Sequence, residues 1–341
     1  MTNDDILPDH VDPLLQLIHG GWTSQVICTA AELGLAELLS AGEQTLQQLA
    51  KSAKCNPQAL DRLLRALTSL GIVTVGNDGE YAMTPLGSRL RADAPDSLNA
   101  QAQWFGLHSW SLWGDLTESV RTGVSARQRR SGVEGYVDFE NTPQAAQLFN
   151  RAMCELTRVV ALALVSKYDF LQSARIIDIG GGHGELLIPI LLANPQAHGV
   201  LVDLEHAIEG ARRHLAGAGL GNRTESIEGD FFVGVPDDGD LYLLKAVLHN
   251  WDDDRCAMIL ATLRRNMPAN SRLLVIERVS PDKIDGSVLQ QAALRSDLNM
   301  LVGRGGRERS RAEFTAMLKQ SGFATTRIIS LAEGFSVIEA V

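Results

Sequence analysis

The chain has 341 residues, of which 45% are hydrophobic and 21% charged, and its formal net charge is −10. This length exceeds one ordinary domain and predicts two. The acidic balance argues against nucleic acid or an anionic membrane as a partner, because both select for clustered Lys and Arg. No apolar run is long enough to span a bilayer, and the acidic first ten residues lack the pattern of a signal peptide.

The four cysteines (Cys28, Cys55, Cys154 and Cys256) stand far apart without metal-ligand spacing. In a chain of this size, such thiols are typically reduced and buried. We therefore expect a cytoplasmic protein that binds no metal.

The N-terminal part has the pattern of a small helical unit closed by a hairpin. Apolar residues recur at helical spacing over 14–39, and Thr45 and Asn56 are placed to cap the next two helices. Two short strands, at 72–75 and 81–83, then flank an Asn-Asp-Gly turn. Helix, turn, helix and hairpin are the order of a winged helix.

A mainly helical segment leads into a region where short β-branched runs alternate with helical stretches. This alternation predicts an α/β domain with a parallel-rich sheet covered on both faces. The runs lie at 175–179, 199–204, 241–244, 273–277, 324–330 and 335–339, and the last two predict an antiparallel hairpin at the sheet edge. The predicted domains are residues 1–98, a helical linker at 99–170, and residues 171–341.

The strongest local signal is Gly-Gly-Gly-His-Gly-Glu at 180–185, directly after a predicted strand. Glycines let a backbone approach a ligand closely at the carboxyl end of a strand, where open α/β sheets bind cofactors. A dinucleotide fingerprint requires Gly or Ala where Glu185 stands, and pyrophosphate would meet the carboxylates of Asp178 and Glu185. The acidic strand end favours a cationic cofactor such as S-adenosylmethionine (SAM). The alternative is a tight turn without a ligand.

Two further segments suit a nucleoside-containing ligand. Asp203, followed by Leu204, ends the next strand, where a carboxylate can accept both ribose hydroxyls. Asp230 and Phe231 lie before the strand at 241–244 and could bind and stack on adenine. SAM and NAD share the ribose contact, and Gly-Asp-Phe is also a common turn sequence.

Three titratable residues could carry the chemistry. His249 lies just past the carboxyl end of a central strand, at the same edge of the sheet as the glycine loop. There it could remove a hydroxyl proton, or it could cap the following helix. Glu277 ends the next strand and could orient His249, or it could be a solvent-facing strand end or a partner for Arg278. Glu308 lies in an arginine-rich loop and could return to this site or remain a surface charge.

Together these residues resemble the plant caffeate and flavonoid O-methyltransferases and their bacterial relatives in antibiotic and pigment biosynthesis. The resemblance covers nearly the whole chain and implies a Rossmann-like class I methyltransferase domain behind an N-terminal, all-helical winged-helix dimerisation domain. It implies a homodimer that converts SAM to S-adenosylhomocysteine without a metal, with His249 as general base between Glu277 and Glu308. The SAM-binding residues are expected to be Asp178, Gly180, Gly182, Asp203, Leu204, Asp230, Phe231 and Lys245.

Asn250 departs from the family pattern, which often has Asp after the histidine. Some relatives have also lost methyl transfer and act as hydroxylases or assist decarboxylation, although the retained His249 argues against this here. Within the family, the chain is similar to bacterial enzymes that methylate tricyclic aromatics such as phenazines. The similarity lies in His-Gly-Gly-Trp at 19–22, the run at 239–244 and Gly-Glu-Leu at 184–186.

Large side chains of the linker and a later helix are candidates to contact a planar aromatic substrate, because such rings favour aromatic and thioether contacts. They are Trp104, Trp110, Phe149, Met153, Asn299 and Met300. Core packing is the alternative for each of them.

Two rival functions remain, a DNA-binding regulator and a SAM-dependent enzyme that methylates nitrogen or carbon. Residues 1–98 carry 6 Lys and Arg against 12 Asp and Glu, and the would-be recognition helix has only Arg62 and Arg65, partly offset by Asp61. A phosphate-tracking surface is therefore not expected. Instead, we expect the apolar stretches at 14–18 and 27–39 to pair two subunits.

Overall fold

The computed structural model describes residues 12–132, 142–171 and 173–341. The chain divides into two compact units, Met1–Trp110 and Ser111–Val341. The first ten residues, on which the signal-peptide argument rests, lie outside the described residues, as does part of the predicted linker. Over the described ranges, no helix is both long and apolar enough to cross a membrane.

The N-terminal unit is mainly helical and has a small antiparallel sheet in the order β1-β3-β2. Its elements are α1 (Pro13–Glu32), α2 (Leu35–Leu39), β1 (Gln44–Thr45), α3 (Leu46–Ser52), α4 (Pro57–Ser69), β2 (Val73–Val75), β3 (Glu80–Met83), α5 (Pro85–Ser88), α6 (Asn99–Gln103) and a π-helix (Trp104–Ser109). The two predicted caps are confirmed: the Thr45 side chain accepts the Gln48 N–H in a capping box, and Asn56 accepts the Ala59 N–H. The predicted hairpin is also confirmed, whereas β1 was missed because it has only two residues.

The two ends of α1 differ in burial. Its C-terminal end and α2 supply Ala30, Leu35 and Leu39 to the core of this unit. The expectation that 27–39 pairs two subunits is therefore wrong, because that stretch is buried within its own unit. The N-terminal end instead exposes Leu17 and Ile18 at 75% and 63%.

The C-terminal unit alternates strands and helices as expected. Helix α7 (Trp110–Trp113) leads into it. Its further elements are α8 (Leu116–Thr122), α9 (Ala126–Ser131), α10 (Pro143–Lys167), β4 (Arg175–Ile179), α11 (Leu187–Ala193), β5 (His198–Asp203), α12 (Glu205–Gly217), β6 (Thr224–Glu228), β7 (Leu241–Lys245), α13 (Asp253–Asn266), β8 (Arg272–Ser280), α14 (Val288–Gly303), β9 (Arg309–Ser310), α15 (Arg311–Gln320), β10 (Thr325–Ser330) and β11 (Phe335–Ala340). Short 3₁₀ helices lie at Gly221–Arg223 and Leu248–Asn250.

The large sheet has the order β10-β11-β8-β7-β4-β5-β6, and β9 pairs with β8 beside this path. The pairs from β8 to β6 are parallel, while β11 runs antiparallel to β8 and β10. The predicted edge hairpin is thus confirmed. Strands β6 and β9 were missed, because Thr-Glu-Ser-Ile-Glu has one apolar residue and β9 has only two residues.

Two apolar cores, one on each face, fix the sheet. Consecutive residues of β4, Ile176 and Ile177, belong to different cores, because successive side chains of a strand point to opposite faces. Helices α10, α11 and α12 contribute to one core, and α13 and α15 to the other. Because both faces are covered, the carboxyl edge of the parallel strands is where side chains can meet a ligand.

Candidate active site

A glycine loop follows β4 at this edge. Gly180, Gly182 and Gly184 have φ angles of +68°, +58° and +82°, a region that side chains other than glycine rarely adopt. A Cβ at Gly180 would lie 3.1 Å from Val247, whereas a Cβ at Gly182 would meet nothing within 4 Å. The loop is therefore packed at its first glycine and open at its third, as a backbone that receives a ligand must be.

Asp203 fastens this loop from the end of β5. Its carboxylate accepts the N–H groups of Gly182 and Leu204, both at 2.7 Å, and burial raises its pKa. The Leu204 side chain is 45% exposed. A carboxylate has about four acceptor positions, so lone pairs remain for ribose hydroxyls.

The predicted adenine segment follows the unforeseen strand β6. The Gly229 N–H donates to the Asp203 carbonyl at 2.9 Å, and Asp230 accepts the Phe232 N–H at 2.9 Å. The Phe231 ring approaches Gly180 and lies edge-on to Trp251 at 6.3 Å. The structure thus brings the predicted Gly180, Asp203 and Phe231 segments to one edge of the sheet.

Asp178 places a buried carboxyl group under the glycine loop. It is 1% exposed, and its Oδ2 has no hydrogen-bond partner within the described residues. Burial, with the neighbouring Asp203, raises its pKa to about 7. An unpaired carboxylate oxygen beneath an open glycine loop fits a cofactor with cationic sulfonium and ammonium groups.

Lys245 ends β7 beside these carboxylates. Its Nζ donates to the Thr157 hydroxyl of α10 at 2.8 Å, and burial lowers its pKa to about 8. It thus links the sheet edge to α10, at the position where the family resemblance expects a SAM contact.

Glu185 does not contribute the free negative charge that the sequence suggested. Its carboxylate accepts hydrogen bonds from Arg158 at 2.8 Å and pairs with His214 Nε2 at 2.7 Å. Because these partners offset its charge, Asp178 and Asp203 are the acidic groups of this edge. The pairing was not predictable from the sequence, since Arg158 and His214 come from two separate helices.

His249 lies at the same edge, in the 3₁₀ turn after β7. It is 7% exposed, and its Nδ1 lies 3.1 Å from Glu308 Oε1 and 3.5 Å from Glu277 Oε2. It does not cap the following helix, because Asp252 does so by accepting the Arg255 N–H. The capping alternative is therefore excluded.

Glu277 supports both the backbone and the ring of the histidine turn. It is fully buried, and its Oε1 accepts the N–H groups of Val247 and Leu248 at 2.9 and 2.8 Å. Its Oε2 faces the imidazole, so the strand-end alternative with solvent exposure is excluded.

Glu308 is brought to the site from a loop that reads as a charged surface in the sequence. It is 4% exposed; its Oε1 accepts the Ser296 hydroxyl at 2.8 Å, and its own N–H donates to Asp297 at 2.8 Å. The surface alternative is therefore wrong. No local pattern could reveal this, because α14 and the loop after it must fold back onto β8 before Glu308 reaches His249.

The carboxylates set the electrostatics of the ring. Burial by itself lowers the pKa of His249, but the charges of Glu277 and Glu308 outweigh it and raise that pKa above its usual value. Burial raises the pKa of Glu277. The pKa of Glu308 is lowered, because the charge and hydrogen bond of His249 outweigh its burial. A buried imidazole between carboxylates is suited to take up a proton.

Asn250 closes the histidine turn from within. Its Nδ2 donates to the carbonyl oxygens of Ala246 and Val247 at 2.9 and 3.3 Å. Ala246 has a φ of +53°, an uncommon value for a residue with a Cβ. The Asn250 amide thus provides hydrogen bonds to these carbonyl oxygens. An Asp carboxylate has no N–H group and could not donate them.

The predicted substrate residues fall into both units. Trp104 is buried and stacks on His108 at 4.9 Å, and Trp110 packs against Gly21. Those two belong to the N-terminal unit, and their substrate role stays a prediction.

In the C-terminal unit, the predicted substrate residues are partly buried. The Arg304 guanidinium lies 5.8 Å from the Phe149 ring, and Met153 is on the same helix as Phe149. Asn299, next to Met300 on α14, accepts the Trp113 indole N–H at 3.0 Å. Trp113 was not among the predicted substrate residues, because only the fold places it against Asn299.

Gly306 allows a close backbone approach that fixes the histidine turn. A Cβ there would lie 2.0 Å from the His249 carbonyl oxygen, whereas one at Gly303 would meet nothing within 4 Å. We expect Gly306→Ala to lower the free energy of unfolding by about 1–3 kcal/mol, because backbone must shift. Gly303→Ala, the matched control in helix α14, should be neutral or stabilising by up to about 1 kcal/mol. Denaturant unfolding measures both, and equal stabilities would contradict the close packing.

Comparison with known proteins agrees with this geometry. Residues 113–324 match the O-methyltransferase domain and residues 15–93 the O-methyltransferase dimerisation domain. A phenazine O-methyltransferase of Lysobacter antibioticus is 39% identical, over 96% of this chain and 95% of that protein. An 8-amino-8-demethylriboflavin N,N-dimethyltransferase of Streptomyces davaonensis is 34% identical, over 92% and 90% of the two chains.

One of the similar solved structures contains SAM. Human N-acetylserotonin methyltransferase in complex with SAM is 25% identical, with a TM-score of 0.90 over 97% of this chain and 98% of that one. The matched domains span both units of this chain, and the relatives match it almost from end to end. The chain therefore belongs to the family of SAM-dependent O-methyltransferases that carry an N-terminal dimerisation domain.

Proposed function

We propose that this O-methyltransferase methylates a hydroxyl group of a small aromatic metabolite, with His249 as the general base. One observation carries the proposal: a buried imidazole, held by two carboxylates, lies at the same sheet edge as the glycine loop. The ring and the loop are on neighbouring strands, β7 and β4, so an acceptor at His249 is next to the cofactor site.

We infer the roles of the two ring nitrogens from the contacts of Nδ1. With Glu308 Oε1 at 3.1 Å, Nδ1 carries the proton and donates it, which leaves Nε2 with the lone pair. Nε2 takes the hydroxyl proton as the acceptor oxygen is methylated. The resulting imidazolium is stabilised by Glu277 and Glu308, so the positive charge forms where two negative charges already stand.

The cofactor residues are proposals of the same kind. SAM, when bound, supplies the electrophilic methyl group. We assign its binding to Asp178, Gly180, Gly182, Asp203, Leu204, Asp230, Phe231 and Lys245. In this assignment Asp203 accepts ribose hydroxyls, Phe231 stacks on the base, and the unpaired Asp178 oxygen offsets the cationic end.

For the acceptor, we propose a planar phenol of the hydroxyphenazine type. The partly buried Phe149, Met153, Asn299 and Met300 offer aromatic, thioether and amide contacts, with Trp113 held beside Asn299. Trp104 and Trp110 remain proposed substrate contacts. The phenazine O-methyltransferase relative supports this choice of ring system.

We further propose a homodimer that forms through the exposed N-terminal end of α1. Leu14, Leu17, Ile18 and Trp22 are each more than 60% exposed there, in a region that matches the dimerisation domain. Such a cluster on one helix end is typical of a protein interface. The four free cysteines agree with a reducing compartment, and we propose the cytoplasm.

N-methylation is the second candidate function, because the riboflavin-derivative relative is named as an N,N-dimethyltransferase. An amine acceptor has its own lone pair and needs little general-base help. The two functions are therefore separated by how strongly turnover depends on His249.

We expect His249→Ala to lower kcat by roughly 10²–10⁴-fold, the usual contribution of a general base, while SAM and S-adenosylhomocysteine still bind. Calorimetry with both compounds measures binding, and methyl transfer to hydroxyphenazines, other phenols and aromatic amines measures turnover. His198→Ala is the matched control, because His198 is exposed at the amino end of β5.

Each result of this experiment has a definite meaning. Wild-type turnover by His249→Ala would remove the general-base role, and preferential turnover of an amine would favour N-methylation. If the enzyme methylates other phenols but no hydroxyphenazine, only the phenazine assignment is refuted. Failure of the wild-type protein to bind either cofactor compound would contradict the cofactor site.

We expect Glu308→Gln to move the acid limb of the pH–rate profile to lower pH and to reduce the maximal rate. Glu308 helps to raise the pKa of His249, so the base of the wild-type enzyme becomes neutral only at higher pH. Removing this charge lowers the pKa of His249 and weakens the base. The exposed Glu209→Gln is the control. An unchanged limb in Glu308→Gln would show that His249 does not control the rate.

A further inference from the structure

Arg309, the residue after Glu308, is a fully buried arginine of the C-terminal unit. Its exposure is 0%, and it is among the largest fully buried side chains of the described residues. A buried guanidinium is costly unless each donor has a partner. The partners of Arg309 therefore indicate what the residue is for.

Those partners lie on both sides of His249. Nη1 donates to the Leu248 carbonyl at 3.0 Å, and Nη2 donates to the Trp251 carbonyl at 2.8 Å. Nε and Nη2 both donate to Asp253 Oδ1, at 3.0 and 2.7 Å. The guanidinium thus bridges the beginning and the end of the short turn that carries the histidine.

This bridge complements the role of Glu277. Glu277 accepts the N–H groups at the start of the turn, whereas Arg309 donates to carbonyl oxygens of the same turn. The turn is a single 3₁₀ segment after Ala246, which has a positive φ, so regular secondary structure holds it only weakly. Glu277 and Arg309 therefore supply this turn with hydrogen bonds that regular secondary structure does not provide.

We propose that Arg309 is a positioning residue that fixes His249 against Glu277 and Glu308 by clamping the carbonyl oxygens of the histidine turn. The proposal rests on the proposed role of His249 as general base. Glu308, just before β9, and Arg309, its first residue, then act as a pair, with Glu308 holding the ring and Arg309 holding the backbone.

The planar fork of the guanidinium is essential to this role. It reaches two carbonyl oxygens and one carboxylate at once, whereas a lysine ammonium acts as a point donor. Arg309→Lys should therefore keep the buried charge but lose part of the clamp. Because a misplacement of about 1 Å costs on the order of 10²-fold in rate, we expect a large loss of kcat with a smaller change in KM.

Arg307 provides a matched control. It also pairs with Asp253, at 3.0 Å, and it binds Glu313, but none of its hydrogen bonds among the described residues reaches the histidine turn. Arg307→Ala removes a charge from the same ion pair without opening the clamp. Asp253→Asn weakens the clamp by removing the charge of the exposed carboxylate that Arg309 contacts. This variant tests the proposal if Arg309→Lys does not fold.

The test uses a readout that needs no known acceptor. NMR of ¹³C-labelled histidine follows the pKa of the His249 ring in the full-length protein, with His249→Gln used for assignment. The groups that face this ring are Glu277 and Arg278 from β8 and Glu308 from the loop before β9. We expect the pKa to fall in Arg309→Lys and Asp253→Asn and to stay at the wild-type value in Arg307→Ala.

Binding of S-adenosylhomocysteine, thermal unfolding and kcat complete the comparison. A lower pKa of His249 with cofactor binding kept within a few-fold supports positioning. A wild-type pKa in folded Arg309→Lys and Asp253→Asn overturns the proposal, even if stability falls. The proposed function fails separately, through full turnover of His249→Ala.

Discussion

Two carboxylates and one imidazole share a buried volume at the carboxyl edge of the sheet, and the local structure is arranged to keep these charges compatible. One ring nitrogen of His249 and one carboxylate oxygen each of Glu277 and Glu308 lie within 4.8 Å of one another. In such a setting an unpaired charge is expensive, so each carboxylate is bonded further: Glu277 to backbone N–H groups and Glu308 to Ser296. The same pairing that makes the cluster stable also prepares the ring to accept a proton, because it stabilises the charged imidazolium.

The parallel sheet distributes charge along this edge strand by strand. Asp203, Asp178, Lys245 and Glu277 come from β5, β4, β7 and β8, which are neighbours in that order. The acidic end suits a cationic cofactor, and Glu277 faces the His249 ring. Lys245, bonded to Thr157 of α10, lies between the two groups of carboxylates and limits their mutual repulsion.

The departure at Asn250 has a structural explanation. Where the family often places an aspartate, the amide of this chain donates to the carbonyl oxygens of Ala246 and Val247. A carboxylate could not donate these bonds and would face the same oxygens unfavourably. Although Asn250 brings no negative charge to the histidine turn, two other carboxylates, Glu277 and Glu308, contact the His249 ring.

The sequence by itself determined the fold class, the glycine loop and the position of the histidine proposed as general base, because each depends on local order along the chain. An apolar strand followed by glycines, or a histidine just past a strand, can be read within a few residues. Only the tertiary structure decided that Glu308 is buried against His249, that Glu185 is paired with Arg158 and His214, and that Arg309 bonds the histidine turn. It also showed that 27–39 belongs to the core of its own unit. Charged side chains have the same local pattern on a surface and in a buried cluster. Their role is set by partners from distant segments, which come together only when the sheet and its covering helices have packed.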